Sequence, residues 1–85
     1  MPEVSRFFGI VITINYDDHL PPHFHARYGD DRATFRLDGE VLAGSMSNRA
    51  TGLVRDWARL HARELADDWW RSERSQPLVP IAPLV

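Results

Sequence analysis

The apolar residues of this chain follow two different periods, and the change between them, near Asn48, restricts the possible folds. In the first half they alternate, which is typical of β-strands because every second side chain of a strand lies on the same face. This alternation predicts strands at residues 7–16, 23–28, 32–37 and, more briefly, 40–43. After Asn48 the apolar residues recur every three or four positions, which predicts one amphipathic helix over residues 48–73.

Short turns separate the predicted strands, so neighbouring strands should pair antiparallel. The sequences Gly-Asp-Asp at 29–31 and Asp-Gly at 38–39 are typical of hairpin turns. The three prolines within residues 76–85 exclude a helix there, and we expect an extended tail. We therefore predict a single α+β domain over residues 1–85. Residues 1–47 form an antiparallel β-meander of three to four strands, and one long C-terminal α-helix packs on one face of it.

The alternation also assigns the strand side chains to two faces of the sheet. The apolar face should lie against the helix and consists of Ile10, Ile12, Ile14, Phe24, Ala26, Tyr28, Phe35 and Leu37. The opposite face is polar and consists of Thr13, Asn15, His23, His25, Arg27, Arg32, Thr34 and Arg36. Imidazole groups bind protons and metals, and guanidinium groups bind phosphates. We therefore expect ligand binding first on this polar face.

The composition excludes several kinds of site and of partner. There is no cysteine among the 85 residues, which excludes disulfides, thiolate zinc sites and cysteine nucleophiles. All ten basic residues are arginine, yet the net charge of −2 argues against a protein that coats nucleic acid in bulk. The longest apolar run, residues 7–14, is too short to span a bilayer and has no basic leader. We therefore expect no membrane association and a cytoplasmic location.

Three of the four histidines lie close together in the chain, at positions 19, 23 and 25. Imidazole nitrogens are ligands of zinc and similar ions, and Asp17 or Asp18 could add an oxygen. However, His19 lies in a loop just before Pro21-Pro22, and no fourth ligand is evident. We therefore expect no bound metal and no cofactor. If a metal were bound, the expected ligands would be His19, His23 and His25.

Acid–base catalysis without a metal is a second possibility for the polar face. His23 and His25 are two residues apart on one predicted strand, which separates them by roughly 6.5–7 Å. A small ribonuclease needs a base, an acid and a cation, and His23, His25 and Arg27 supply these three types. Arg27, Arg32 and Arg36 would then bind the phosphates of RNA. The same face could also bind RNA or an acidic protein surface without any chemistry, so the sequence leaves enzymatic activity open.

Several segments form a recognisable set: residues 1–10, residues 18–29 with a Pro-Pro-His-Phe-His motif, and residues 39–44, 57–65 and 76–78. Together they resemble the bacterial family called domain of unknown function 4160. Members of that family resemble components of toxin–antitoxin-like pairs and are often encoded beside a small protein of the domain of unknown function 2442 family. The chain departs from the family pattern at Trp70, where a polar residue is more common.

This resemblance and the polar face together predict a toxin–antitoxin-type module that binds or cleaves RNA through its histidines and arginines. The alternative is a non-catalytic protein-interaction or regulatory domain. The exposed apolar residues expected at the helix end and in the tail are Trp70, Pro77, Leu78 and Ile81. We expect them to bind either a second copy of the chain or a small antitoxin-like protein. An exposed sheet edge offers a second route to association, by strand addition.

Overall fold

The computed structural model describes residues 2–85, which form five strands and two helices. The strands are β1 (Glu3–Phe7), β2 (Ile10–Thr13), β3 (His23–Tyr28), β4 (Asp31–Arg36) and β5 (Val41–Ser45). The helices are α1 (Asn48–Leu60) and α2 (Ala62–Glu73). Each strand pairs antiparallel with the next one along the chain, in the sheet order β1-β2-β3-β4-β5. The predicted α+β class is confirmed, but the predictions of three to four strands and of one helix are wrong.

The first predicted strand, residues 7–16, is in fact interrupted by a hairpin turn. β1 is joined to β2 by Phe8 and Gly9, whose φ angles are 50° and 81°. Phe7 pairs with Ile10 across this turn. Two consecutive positive φ angles are typical of the type I′ turn that joins two strands through two residues. Phenylalanine rarely adopts a positive φ angle, so a Phe-Gly pair inside an alternating run carries no recognisable turn signal.

Trp57 of α1 lies at the centre of the core and is 0% exposed. Its ring centroid lies 5.3 Å from that of Phe7 and 5.7 Å from that of Phe24, so α1 packs directly on the sheet. Most of the predicted apolar face is confirmed as buried, namely Ile10, Ile12, Ile14, Phe24, Ala26 and Phe35. Two predicted members differ, because Tyr28 is exposed at the end of β3 and Leu37 is only partly buried.

The helix predicted over residues 48–73 is divided at His61, whose φ and ψ angles are −119° and 29°. The buried residues nevertheless keep a spacing close to three and four across the division: Val54, Trp57, Ala58, Leu65, Asp68, Trp69 and Ser72. The division is not marked by proline or glycine either. The prediction of one helix is therefore wrong because no residue near His61 marks the end of a helix. Within residues 2–85, no helix is long and apolar enough to cross a membrane.

The tail, residues 76–85, is extended and lies against the core of its own chain. The backbone N–H of Ile81 donates to the carbonyl of Val4 at 2.7 Å, so the tail covers part of the outer edge of β1. The indole N–H of Trp57 donates to the carbonyl of Ala82 at 2.9 Å. Ile81 is buried. A side chain that we expected to contact a partner protein thus fills the core of its own chain.

Asp68 of α2 holds the first part of the tail, although the residue itself is almost fully buried. Its Oδ1 accepts a hydrogen bond from the backbone N–H of Val79 at 2.8 Å. Its Oδ2 is buried and has no hydrogen-bond partner among the described residues. Burial raises the pKa of the Asp68 carboxyl; the Val79 hydrogen bond lowers it, and the charge of Asp67 raises it further. Since a buried oxygen without a partner is costly, the ionised side chain should destabilise the fold.

We expect Asp68→Asn to increase the free energy of unfolding at pH 7 by about 1 kcal/mol, because the amide is uncharged and can still accept from Val79. The folded pKa of Asp68 is above its ordinary value of 3.8, so the native state binds more protons than the unfolded state. Wild-type stability should therefore decrease as the pH rises from below 3.8 through the folded pKa of Asp68. The advantage of Asp68→Asn should disappear at pH 3, where the carboxyl is protonated. Denaturant unfolding at both pH values measures this difference.

The control is Asp56→Asn, which removes an exposed carboxylate from α1 that does not affect the pKa of Asp68. This substitution should change the stability at pH 7 by less than about 0.5 kcal/mol, since exposed side chains away from special features contribute little. An Asp68→Asn protein that is less stable than wild type at pH 7 would contradict the account of the buried carboxyl.

Candidate functional site

The loop that joins β2 to β3 places a carboxylate beside two histidines of β3. The Oδ2 atom of Asp18 lies 2.9 Å from Nε2 of His23 and 3.3 Å from Nε2 of His25. The two imidazole rings meet edge to face, with centroids 5.1 Å apart. We refer to Asp18, His23 and His25 as the Asp–His cluster.

His23 is the buried member of the Asp–His cluster and is 3% exposed. Its Nδ1 donates to the carbonyl oxygen of Pro21 at 2.7 Å, since a carbonyl oxygen can only accept. Its ring packs against the indole of Trp69 in α2, with centroids 5.2 Å apart. Both nitrogens are thus engaged within the protein, and the ring is covered by a helix.

His25 is the accessible member of the Asp–His cluster. About a third of its side chain is exposed. Its Nε2 lies 3.3 Å from the amide nitrogen of Asn15, and its Nδ1 lies 3.5 Å from Oγ1 of Thr34. Polar groups from the loop after β2 and from the neighbouring strand β4 therefore hold the ring of His25, while about a third of the side chain is exposed.

The Asp18 carboxyl is ionised throughout the neutral pH range. Burial raises its pKa, but hydrogen bonds from His25, from the backbone N–H of His19 and from His23 outweigh this effect. The pKa is lowered from its ordinary value of 3.8 to about 2. The Asp–His cluster therefore contains a fixed negative charge that faces two imidazoles.

Beside the Asp–His cluster, the polar face of the sheet forms a groove of about 580 Å³. Its polar lining consists of Glu3, Thr13, Asn15, His25, Arg27, Arg32 and Thr34. Two cross-strand rows of side chains form this lining. In the first row His25 is flanked by Thr13 and Thr34, and in the second Arg27 lies opposite Arg32. We call this region the polar groove.

Arg27 and Arg32 place two positive charges directly opposite each other on adjacent strands. Both residues are exposed, and within residues 2–85 neither has an acidic side chain within ion-pair distance. Glu3 lines the same groove, but its carboxylate pairs with Arg6 at 2.8 Å. Like charges in directly opposite positions destabilise a sheet. The pKa of the Glu3 carboxyl is lowered mainly by its hydrogen bond to Arg6 and also by the charge of Arg27, so Glu3 offsets the positive charge of the arginine pair only in part.

The predicted site residues divide into those that line the polar groove and those that do not. His25, Arg27 and Arg32 line it together. His23 belongs to the Asp–His cluster but lies below the accessible surface. Arg36 pairs with His23 across the strands and is exposed, but it is not part of the groove lining.

The structure also changes the set of candidate metal ligands. The donor atoms of Asp18, His23 and His25 lie within 4.8 Å of one another. His19, which the sequence placed in that set, is 85% exposed and lies 3.0 Å from the other oxygen, Oδ1, of Asp18. Asp18 was predicted only as a possible oxygen donor, because the spacing of a loop residue from a strand does not determine its position.

The residues predicted to bind a partner are spread over different environments. Trp70 is 58% exposed, and the guanidinium carbon of Arg74 lies 3.9 Å from its ring centroid. Pro77 is exposed, whereas Leu78 is partly buried against the core. Ile81 is buried, as described above. Glu3 was missed as a residue of the groove, because no strand was predicted before residue 7.

Comparison with known proteins identifies the family of the chain. A search of curated proteins found no match, and a search of solved structures found none either. A family model described as Domain of unknown function (DUF4160) matches residues 9–70, a stretch that includes most of the polar groove and the whole Asp–His cluster. Because this match covers well over half of the sequence, the chain belongs to the DUF4160 family.

Proposed function

We propose that this protein is an RNA-binding module of the toxin–antitoxin type and that its polar groove binds the phosphodiester backbone. The observation that carries this proposal is the pair formed by Arg27 and Arg32, which lie directly opposite each other beside His25. A bound anion would neutralise the repulsion between the two guanidinium groups. Guanidinium groups also match the geometry of phosphate oxygens, because they can donate two parallel hydrogen bonds.

The row next to the arginine pair offers hydrogen-bonding groups suited to a nucleotide. Thr13 and Thr34 flank His25, and Asn15 lies beside it. Hydroxyl, amide and imidazole groups can each contact a ribose hydroxyl or a base edge, and the 2′-hydroxyl distinguishes RNA from DNA. Single strands are the usual targets of sequence-specific RNA recognition. With only two arginines in the groove and a net charge of −2, we propose a short single strand as the ligand.

The geometry favours binding over cleavage by a pair of histidines. Acid–base cleavage needs two groups that both reach the reacting atoms. His25 is accessible, but His23 is buried with both nitrogens engaged. Under this proposal the role of His23 is to position the loop and the Asp18 carboxylate.

We expect the double substitution Arg27→Ala/Arg32→Ala to weaken the binding of a short, fluorescently labelled single-stranded RNA by roughly 30-fold or more. Each phosphate contact removed costs about 1 kcal/mol or more, since hydrogen bonds to charged groups are among the stronger ones. Fluorescence anisotropy at fixed ionic strength measures the affinity.

The control for this experiment is Arg49→Ala/Arg59→Ala, which removes the same charge from exposed positions of α1. If the removed charges act on the RNA only at long range, where salt screens them, this control protein should bind RNA within about threefold of wild type. An equal loss in both double variants would show that binding depends on net charge and not on the polar groove.

A second candidate function is a non-catalytic interaction with another protein, either a second copy or a small antitoxin-like partner. The observation that favours it is β5, an edge strand in which all five residues are exposed. An unpaired edge of this kind can accept a strand from another chain. If the wild-type protein showed no RNA binding in the anisotropy experiment, this candidate would replace the first.

A further inference from the structure

We propose that the Asp–His cluster is a binding site for one divalent transition-metal ion of the zinc type, held by Asp18, His23 and His25. This inference goes beyond the proposed RNA binding and does not rest on it. It also differs from the expectation of no metal that the sequence alone supported, and it replaces His19 with Asp18 in the ligand set.

The distances within the Asp–His cluster suit a single ion. All three donor atoms lie within 4.8 Å of one another, and the two imidazole nitrogens are 2.9 and 3.3 Å from the same carboxylate oxygen. Donor atoms bound to one zinc ion at about 2.0–2.2 Å in tetrahedral geometry lie roughly 3.3–3.6 Å apart. Small adjustments of the side chains would therefore bring all three donors to bonding distance.

The hydrogen bond of His23 to the backbone orients its ring for an ion at this position. Nδ1 of His23 donates to the carbonyl of Pro21 at 2.7 Å, and this contact directs Nε2 towards Oδ2 of Asp18, 2.9 Å away. In the metal-bound form, Nε2 would bind the ion while Nδ1 kept its hydrogen bond to Pro21. The ion would also be held by the Asp18 carboxylate, which offers it a negatively charged ligand beside a ring that is only 3% exposed.

The surroundings resemble the outer shell of known metal sites. Metal-binding histidines usually donate their second nitrogen to a carbonyl, carboxylate or water, as His23 does to Pro21. His25 has Thr34 beside its second nitrogen, and Trp69 forms an apolar wall against His23. Two imidazoles and one carboxylate are a donor set suited to zinc and to neighbouring first-row ions.

A metal held by these three residues would have one side facing the polar groove. His25 lines the groove, whereas His23 is not part of the lining and is 3% exposed. Metal sites with three protein ligands keep a further position for water or another oxygen ligand. In the metal-bound form, the Nε2 atom of His25 would be a ligand and would not be free to transfer protons.

The test is a zinc titration of the full-length protein, purified without a histidine tag and treated with a chelator. Competition with a chromophoric chelator should show one tightly bound zinc ion per chain. Asp18→Asn and His25→Ala should each lose more affinity than the roughly 10–100-fold that changes in the outer shell of a site typically cost. Circular dichroism checks that each variant is folded, and His23→Ala is avoided because this residue also supports the fold.

Two histidine substitutions serve as matched controls. His61→Ala removes a histidine that contacts Glu64 on α2, and His19→Ala removes the exposed neighbour of Asp18. Both control proteins should bind zinc within about threefold of wild type. In a separate measurement, cobalt-loaded wild type should show visible absorption that cobalt-treated His25→Ala lacks. The proposal is overturned if wild type takes up no stoichiometric zinc or if Asp18→Asn or His25→Ala binds zinc as tightly as wild type. A loss with His19→Ala equal to that with His25→Ala overturns the assigned ligand set.

Discussion

Replacing Trp57 with alanine is expected to lower the free energy of unfolding by about 4 kcal/mol, the largest effect of any substitution considered. The indole is 0% exposed and packs against the rings of Phe7 and Phe24, so its removal leaves a large cavity between α1 and the sheet. Its N–H also binds the carbonyl of Ala82, and loss of that hydrogen bond should loosen the tail. Denaturant unfolding followed by circular dichroism measures the change.

Trp70→Ala is the matched control, since it removes the same side chain from an exposed position. The substitution removes the contact of the indole with the Arg74 guanidinium, and such exposed contacts contribute about 0.5–1 kcal/mol. If the two alanine variants had equal stabilities, Trp57 would not be the centre of the core. The same comparison separates the core of the domain from the surface that we expected to bind a partner.

Replacing His23 with alanine is expected to cost about 3 kcal/mol of stability in the presence of a chelator. The substitution removes a buried ring that packs against Trp69 and leaves the carbonyl of Pro21 without its donor. It also removes the Nε2 atom that faces the Asp18 carboxylate. The chelator ensures that the measured change reflects the fold and not the loss of a bound ion.

His19→Ala should change the stability by less than about 0.5 kcal/mol, because exposed side chains away from special features contribute little. His19 and His23 are four residues apart in the chain, yet only the second is covered by α2. A His23→Ala protein as stable as His19→Ala would contradict the packing of the loop against β3. Loss of stability in both would show that His19, whose ring centroid lies 5.4 Å from that of His23, also supports the loop.

The fold could be predicted from the sequence wherever the hydrophobic period was continuous and bounded by ordinary turn residues. β3 was predicted at its observed ends, and β4 to within one residue at each end. The hairpin at Phe8 and Gly9 was missed because a phenylalanine occupies a position with positive φ. The division at His61 was missed because the core spacing continues through it. Neither break is marked by a dipeptide typical of a hairpin turn or by a proline.

From the sequence, the candidate site could be predicted only as one face of the sheet. Strand alternation placed His25, Arg27 and Arg32 together, and all three line the polar groove. The same alternation placed His23 on that face but could not show that Trp69 covers it. The central role of Asp18 depends on the path of a loop, which no period in the sequence describes. Burial and loop geometry, rather than residue type, therefore distinguish the two histidines.

The polar groove and the Asp–His cluster share His25, but the two proposals for them are separable. The proposed RNA binding would depend on the charges of Arg27 and Arg32, which are not among the three proposed metal ligands. The proposed metal binding would depend on Asp18, His23 and His25, and it can be tested without RNA. Either proposal can therefore fail while the other stands.

The salt dependence of RNA affinity tests the central claim, that Arg27 and Arg32 contact phosphates in the polar groove, most directly. Each phosphate contact on a single strand contributes about 0.7 to the slope of the logarithm of the affinity against the logarithm of the salt concentration. We expect a slope that is smaller in magnitude by about 1.4 for Arg27→Ala/Arg32→Ala than for wild type, and unchanged for Arg49→Ala/Arg59→Ala. Identical slopes for wild type and Arg27→Ala/Arg32→Ala would contradict it.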